Sequence, residues 1–479
     1  MIRQHTVMTT VRHLISNSLI AGLTIVAAIL AQAGEPGPAN SHTASCMSPY
    51  KKKPVPAKTL HTIVQSHEKW LEERHNQNYH RADLCQADLR QANLKGANLE
   101  RANLEGAQLR QANLYQAQLT QANLAGVDLS KASMEDSNLS GADLRHARLP
   151  GANLFRSVGD EAALYEAVLT GTQLHESNFE RAHFEGADLA SADFTDANLV
   201  DSYFYGANLH RAILSGADLM NADLRRTNLT KANMDQANLQ GALLDGAHLT
   251  GARLVEADME GAYFDEASLA GANLHGALLR GADLRFTNLQ SASLQEADLE
   301  GVNFEGASLM KTTLQSANMR MAILYHATLD GADFREARLH HAVLIGAQGT
   351  DTIFTKADLT QIYAPKVRLP RARFNEATLE AANLVAADLR GANFDHAILT
   401  HANLQEANLQ GAAFPGADLT GVRMDAADLR QANLRGTNLA GVLGLTQAQV
   451  DSACVDEQTK LQPGLKRPAP CAGKTTKKK

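Results

Sequence analysis

The chain has 479 residues and a net charge of -7, unevenly spread. Residues 1–81 hold 9 Lys and Arg against 4 Asp and Glu, residues 442–479 hold 7 against 3, and the stretch between holds 29 against 45. Four cysteines and 18 scattered histidines show no zinc-ligand spacing, which excludes a zinc module.

Residues 1–33 read as a secretory signal peptide. Arg3 and Arg12 give the positive start, Leu19 to Leu30 an apolar run, and Ala31 to Ala33 a small-residue cleavage site. The alternative is an uncleaved anchor, because Leu14 to Ala33 is just long enough to span a bilayer. Residues 34–57, with Pro, Gly and Lys51 to Lys53, are expected to form a disordered linker. Within 58–81, a helical cap is expected over 58–74, with Leu60, Ile63, Val64, His67 and Leu71 on one face and Trp70 beside them. Cys46 in the linker is close enough in sequence to reach Cys85.

From Leu84 to Leu439 a large apolar residue returns every fifth position through 72 pentads. It is Leu, Phe or Met except at Gly159, Gly349 and Ala364, and the residue two before it is small, apart from Ile362. A step of five turns about 140° on an α-helix and flips faces on a straight strand. Neither element makes an apolar stripe from it. A short extended segment followed by a corner does, because each corner resets the alternation and every leucine then points inward. Phe334, Phe354, Phe374, Phe394 and Phe414 recur at a spacing of 20. That spacing predicts four pentads per coil, about 18 coils over 82–441, and a rod of roughly 85 Å at the spacing of parallel strands. The residue before each central one is Asp or Asn in 39 of 72 pentads and is read as bonding local backbone at the turns. The irregular stretches, about 346–366 and Phe155 to Asp160, are expected to bulge.

After the repeat, Leu445 to Cys454 reads as a short helix starting at Thr446, followed by a cap and basic tail over 442–479. Cys454 and Cys471 close a short loop there and are expected to form a disulfide in an oxidising compartment.

The pentads "GADLR" and "QANLK" resemble those of the pentapeptide-repeat family, whose pattern is A(D/N)LXX. The resemblance implies an all-β fold, a right-handed quadrilateral parallel β-helix with small caps, and allows a homodimer through the C-terminal end. Some members of the family resemble duplex DNA and bind topoisomerases. Duplex DNA of this length carries about 50 charges, and the solenoid's excess of acids, 45 against 29, falls well short.

No catalytic constellation emerges. "CAGKTT" lacks the upstream glycine of a phosphate loop, with Pro468 in its place. His340, His341, His396 and His401 fall on outward positions, and a rod packed with Leu and Phe offers no cleft to shift a carboxylate pair. The chain is read as a non-enzyme without cofactor, metal or small-molecule substrate. One face stands out. Tyr165, Tyr203, Tyr205, Tyr263, Tyr325 and Tyr363 share one side of the coil with Leu243, Ile323, Val343, Ile345 and Val385, interrupted by Arg225 and Arg285. The site expected is Tyr165, Tyr203, Tyr205, Tyr263, Tyr325, Val343, Ile345 and Tyr363, contacting a protein partner. The reading is a secreted or periplasmic scaffold. The alternatives are a purely structural envelope rod, or a topoisomerase-binding DNA mimic if the chain is cytoplasmic.

Overall fold

The computed structural model describes residues 46–73 and 78–468. The expected signal segment, most of the linker and Cys471 lie outside the described residues. Residues from Met47 onward form one compact unit.

The period of five is a period of corners. In every pentad but the one centred on Gly349 the residue after the corner donates its amide to the carbonyl of the central residue three positions back, as from Ala117 to Leu114 (2.9 Å). The residue between them on the corner's far side has positive φ, +57° at Gln116 and +63° at Gly126. An i to i+3 bond with a left-handed third residue is a type II β-turn. Between corners, bridges join each residue to the one 20 further on, all parallel, from Asp83 with Asn103 to Arg423 with Leu443. A bridge every 20 residues and a corner every five make a four-sided coil. Leu119 N donates to Asn138 O (2.7 Å), and Asn138 N donates back to Ala117 O (3.0 Å), so the backbone is satisfied coil to coil.

The inward pair of each pentad, the central residue and the one two before it, is buried through the repeat, except that Ala92 near the N-terminal end is half-buried. Phe334 and Phe354 stack at 4.8 Å and 9°, and the ladder continues through Phe374, Phe394 and Phe414 at 4.8–5.1 Å and 3°. On the opposite wall Phe184 lies over Phe204 at 4.7 Å and meets Phe194 edge-on across the interior at 5.9 Å. The outward Asx residues accept from the amide two positions on, as Asn138 does from Ser140 (3.0 Å). They also ladder between coils, as Asn228 Nδ2 does to Asn208 Oδ1 (2.9 Å). Where the pentad reads DLR the arginine folds back onto its own aspartate, 2.6 Å for Arg145 with Asp143.

The two expected bulges do not form. The bridges run on through Asn138, Val158 and Asn178, and through Val343 with Tyr363 and Gln348 with Arg368. Two volume exchanges explain this. Gly159 makes room for Phe179 one coil further on, whose ring occupies the place of a Cβ at Gly159. In the other stretch, Ile362 is large where the repeat is small and Ala364 is small where it is large, and both are buried. Swaps that conserve volume leave a packed core intact. Cys85, at an outward position of the first coil, is fully covered.

The ends differ from the middle. Helix α1 (Ala57–Glu72) buries Leu60, Val64 and His67. His67 accepts at Nδ1 from the Ala82 amide (3.1 Å) and donates from Nε2 to the Glu100 carbonyl (2.9 Å), with Trp70 stacked on it at 5.4 Å. The preceding segment pairs with the second side of the first coil through Asp88 N to Lys53 O (3.0 Å) and Val55 N to Asp88 O (3.2 Å). At the other end helix α2 (Gln447–Ser452) starts at Thr446 in a capping box with Gln449, whose side-chain amide donates to the carbonyls of Met424 and Ala427. The chain then supplies Cys454 O and Lys460 O to Leu434 N and Leu439 N. No helix among the described residues is long and apolar enough to cross a membrane. Cys46, Cys85 and Cys454 are all in disulfides.

Two predictions test this packing. Gly159→Leu alone destabilises by about 3 kcal/mol through overpacking. Adding Phe179→Leu recovers about 2 kcal/mol of that, a coupling that a double-mutant cycle by chemical denaturation reads directly. His67 is lowered from its ordinary pKa, first by burial. The folded state therefore binds fewer protons than the unfolded one just below pH 6.5, and stability at this cap falls as pH drops through that region. Amide exchange at Ala82 is expected to accelerate on acidification in wild type beyond the trend of distant amides, and to lose that excess in His67→Gln.

Candidate interaction face

Each side of the coil shows two outward rows, the residues before and after the central one. On the side centred on Phe184, Phe204, Phe264 and Phe304, the first row is bridged in unbroken order. It runs Ala163, His183, Tyr203, Asp223, Leu243, Tyr263, Asp283, Asn303, Ile323, Val343, Tyr363 and Asn383. The second row holds Tyr165, Tyr205, Tyr325, Ile345 and Val385 one coil step or more apart. All eight expected contact residues therefore lie on one wall. They are not equally presented. Tyr203, Tyr205 and Tyr325 are 37%, 42% and 37% exposed, whereas Tyr165, Tyr263, Val343, Ile345 and Tyr363 are half-buried, and Leu243 is buried.

The wall divides into two patches. In the first, Tyr165, His183 and Tyr203 stack at 5.0 and 4.6 Å, and His183 Nδ1 lies 3.0 Å from Glu185 Oε1. Burial, then the Glu185 carboxylate, pushes the Tyr165 hydroxyl up to about 12. The arginines Arg225 and Arg226 lie 5.9 Å from the Tyr205 ring centroid. The second patch holds Ile323, Tyr325, Val343, Ile345, Tyr363 and Val385 on successive coils.

Between the patches the wall is charged. Arg225 and Arg285, which the sequence shows only as interruptions, are ion-paired to Asp223 (2.6 Å) and Asp283 (2.7 Å) within their own pentads. Asp245 and Asp265 sit in the intervening coils, and Asp265 N donates to Asp245 Oδ1 (3.1 Å). Burial raises the pKa of both, with the neighbouring carboxylate adding to the shift at Asp245.

Two residues of this wall escaped the sequence reading. Phe286 (55% exposed) and Met321 (43%) sit at corners bordering it, with φ of +53° and +57°. Most corners carry glycine or a polar residue, so a bulky apolar side chain in a left-handed corner was the available signal. Phe286 lies over Gly306 of the next coil, and His326 likewise lies over Gly346.

A raised aspartate pKa means the folded state holds the proton more tightly than the unfolded one. Asp245 therefore costs stability as pH rises from near 3.8 through its folded value, and the cost persists at neutral pH. Asp245→Asn keeps the acceptor for the Asp265 amide. It is expected to raise the denaturation midpoint at pH 7 and to bring the two proteins together at the acid end, where wild type is protonated.

The family model for pentapeptide repeats matches this chain between residues 80 and 441, lapsing only at 155–166 and 364–371. Similar solved structures include HetL, a regulator of heterocyst differentiation from the cyanobacterium Nostoc sp. strain PCC 7120, at 29% identity over 63% of this chain and 89% of that one, with a TM-score of 0.14. A pentapeptide repeat protein of the Arabidopsis thaliana thylakoid lumen is 31% identical over 22% and 61%, with a TM-score of 0.15. QnrB1, a plasmid-mediated fluoroquinolone resistance protein, is 18% identical over 43% and 90%, with a TM-score of 0.22. No curated protein matches the chain. With matched repeats across well over half its length, the chain belongs to the pentapeptide-repeat family, whose fold is the right-handed quadrilateral β-helix.

Proposed function

We propose that this protein is an exported, non-enzymatic scaffold, an eighteen-coil rod closed at both ends by its caps, that binds a protein partner through the tyrosine wall. The observation that carries the reading is the contrast between walls. Tyr203, Tyr205 and Tyr325 stand exposed in line with aliphatic residues, while the other outward rows are dominated by Asn, Asp, Arg, Gln and Thr. Single exposed aliphatic residues, Ile213, Leu278 and Ile398, stand on other walls, whereas on this one exposed aromatics line up with aliphatic neighbours, the composition of an interface core. The packed interior argues against chemistry inside the rod, since Leu and Phe fill it from wall to wall.

Export is supported by the basic and apolar N-terminal stretch and by disulfides at Cys46, Cys85 and Cys454, which persist in oxidising compartments. The pairing of Cys454 with Cys471 belongs to this proposal. The purely structural rod is the second reading, favoured by the stacking of Tyr165, His183 and Tyr203 on one another, because cross-coil ladders stabilise sheets without any partner. For a homodimer, the C-terminal edge is poorly suited to simple strand pairing, since Cys454 O and Lys460 O already accept from the last coil.

Cell fractionation tests export: the reading expects the protein outside the cytoplasm with its N-terminal segment removed or membrane-held. Crosslinking in the native envelope then tests the wall. Tyr203→Ala/Tyr205→Ala is expected to weaken capture of a partner held by wild type by about ten-fold, or 1.4 kcal/mol, with Gln240→Ala on another side as the neutral control. Equal capture by all three proteins rejects the wall and leaves the structural rod.

A further inference from the structure

One coil of the rod departs from the rest in charge. Between Asp358 and Glu376 there is no acid, while Lys366, Arg368, Arg371 and Arg373 all fall there, in a solenoid whose acids outnumber its bases 45 to 29. Arg371 is paired with Asp351 at 2.8 Å. Lys366, Arg368 and Arg373 are exposed and have no ion-pair partner among the described residues. This is unlike the arginines of the DLR pentads, each of which is neutralised by its own aspartate.

Lys366 and Arg368 border a notch of about 370 Å³ at the corner of Gly346, whose other walls are Tyr325, His326, Ile345 and the amide side chain of Gln348. The notch exists because Gly346 carries no side chain where the His326 ring overhangs it. Tyr325 and His326 rings lie 4.1 Å apart and form one wall. The notch shares Tyr325 and Ile345 with the second patch of the tyrosine wall, and Tyr325 and, two coils back at the same corner, Phe286 are exposed. An apolar wall and a doubly cationic wall thus meet in one recess.

We propose that this notch receives an acidic residue of a partner protein, its carboxylate between Lys366 and Arg368 and a neighbouring apolar side chain against Tyr325 and Ile345. The proposal rests on the tyrosine wall being an interaction face and adds the chemistry of what docks there. Charge complementarity decides the occupant. Two unpaired cations beside aromatic and aliphatic carbon match a single carboxylate flanked by hydrophobic side chains. An extended polyanion fits poorly. The acid-free band is one coil, about 5 Å, deep, and a chain of anions running along the rod from it next meets Asp388 beside Arg368 and Glu406 at the corner beyond Lys366, with Glu305 on the other side, on a rod that repels it throughout.

The test is a selection of displayed random dodecapeptides on the full-length protein. Enriched peptides are expected to carry Asp or Glu next to an aromatic or aliphatic residue. A synthetic copy of the most enriched one should lose about ten-fold in affinity to Lys366→Gln/Arg368→Gln, lose more to the double glutamate exchange, and be unaffected by Lys356→Gln. All substituted side chains are exposed, and retained thermal unfolding confirms that the variants fold. Enrichment without acids, no enrichment, or affinity indifferent to Lys366 and Arg368 overturns the proposal. Peptides that are indifferent to these two but lost in Tyr203→Ala/Tyr205→Ala would leave the wall standing and remove only the notch. Heparin binding that depends on the same two cations and displaces the peptide at equal charge concentration would assign the site to polyanions instead, and equally overturns it.

Discussion

The left-handed corner is the constraint on which this structure depends. A strand alternates faces, so five residues of strand would send successive leucines to opposite sides. Turning at each fifth residue, with φ near +57° at Gln116 or +63° at Gly126, cancels that alternation and keeps every central residue inside. The corner is not free. A residue with a Cβ in this conformation costs about 1 kcal/mol or more relative to glycine, and many corners here, such as Lys131 and Arg211, are not glycine. What offsets the cost is the repetition of the coil. Each corner amide and carbonyl finds a partner in the next coil, as Gln116 N does in Glu135 O (2.9 Å), so no coil is stable by itself and neighbours hold one another in place.

That arrangement separates folding from presentation. Two positions in five are committed to the interior, and the other three are restrained only by strand propensity and the Asx bonds at the turns. The inward pattern was therefore legible from sequence down to the wall on which the phenylalanines stack, because packing leaves few residue types acceptable there. Corner chemistry was legible too, in glycines such as Gly126, Gly141 and Gly151 at the second position after each central residue, though the period alone gave only the place of the turn and not its type. The outward side was legible as a list of residues sharing a wall. It was not legible as a surface: the stacking of His183 between two tyrosines, the neutralisation of Arg225 and Arg285, and the covering of Leu243 depend on side-chain directions between coils, which a one-dimensional pattern does not carry.

The ends obey a different rule. An open coil exposes a row of unpaired amides and carbonyls, the template for edge-to-edge growth. At the N-terminal end the Lys51 to Val55 segment takes one side of the first coil and His67 reaches two others through one imidazole. A histidine suits this place because its neutral ring both accepts and donates, which an apolar helix face would not. The amphipathic pattern predicted α1 and put His67 on its buried face, but hydrophobic periodicity says nothing about which buried residue must be polar.

The expected bulges failed for a reason that bears on the wall. Irregular pentads looked like breaks because each was judged alone, whereas the core is shared between coils. Gly159 is acceptable beside Phe179, and Ala364 beside Ile362, since each pair fills about the volume of two ordinary residues. The backbone therefore runs straight beneath Tyr165 to Tyr205 and beneath Tyr325 to Val385, and both patches rest on a flat ladder rather than on a kink. Rigidity of that kind favours binding, because side chains already held by their neighbours in the next coil lose little further freedom when a partner covers them. The stacking that would stabilise a mere rod is thus also what preorganises an interface, and the two roles part only where outward residues lack a partner within the chain. Tyr205 still has Arg225 and Arg226 near its ring, but Lys366 and Arg368 make no ion pair among the described residues, the Asp388 carboxylate beside Arg368 being held by its own Arg390 at 2.7 Å, so it is there that a role in binding is most sharply distinguished from a role in folding.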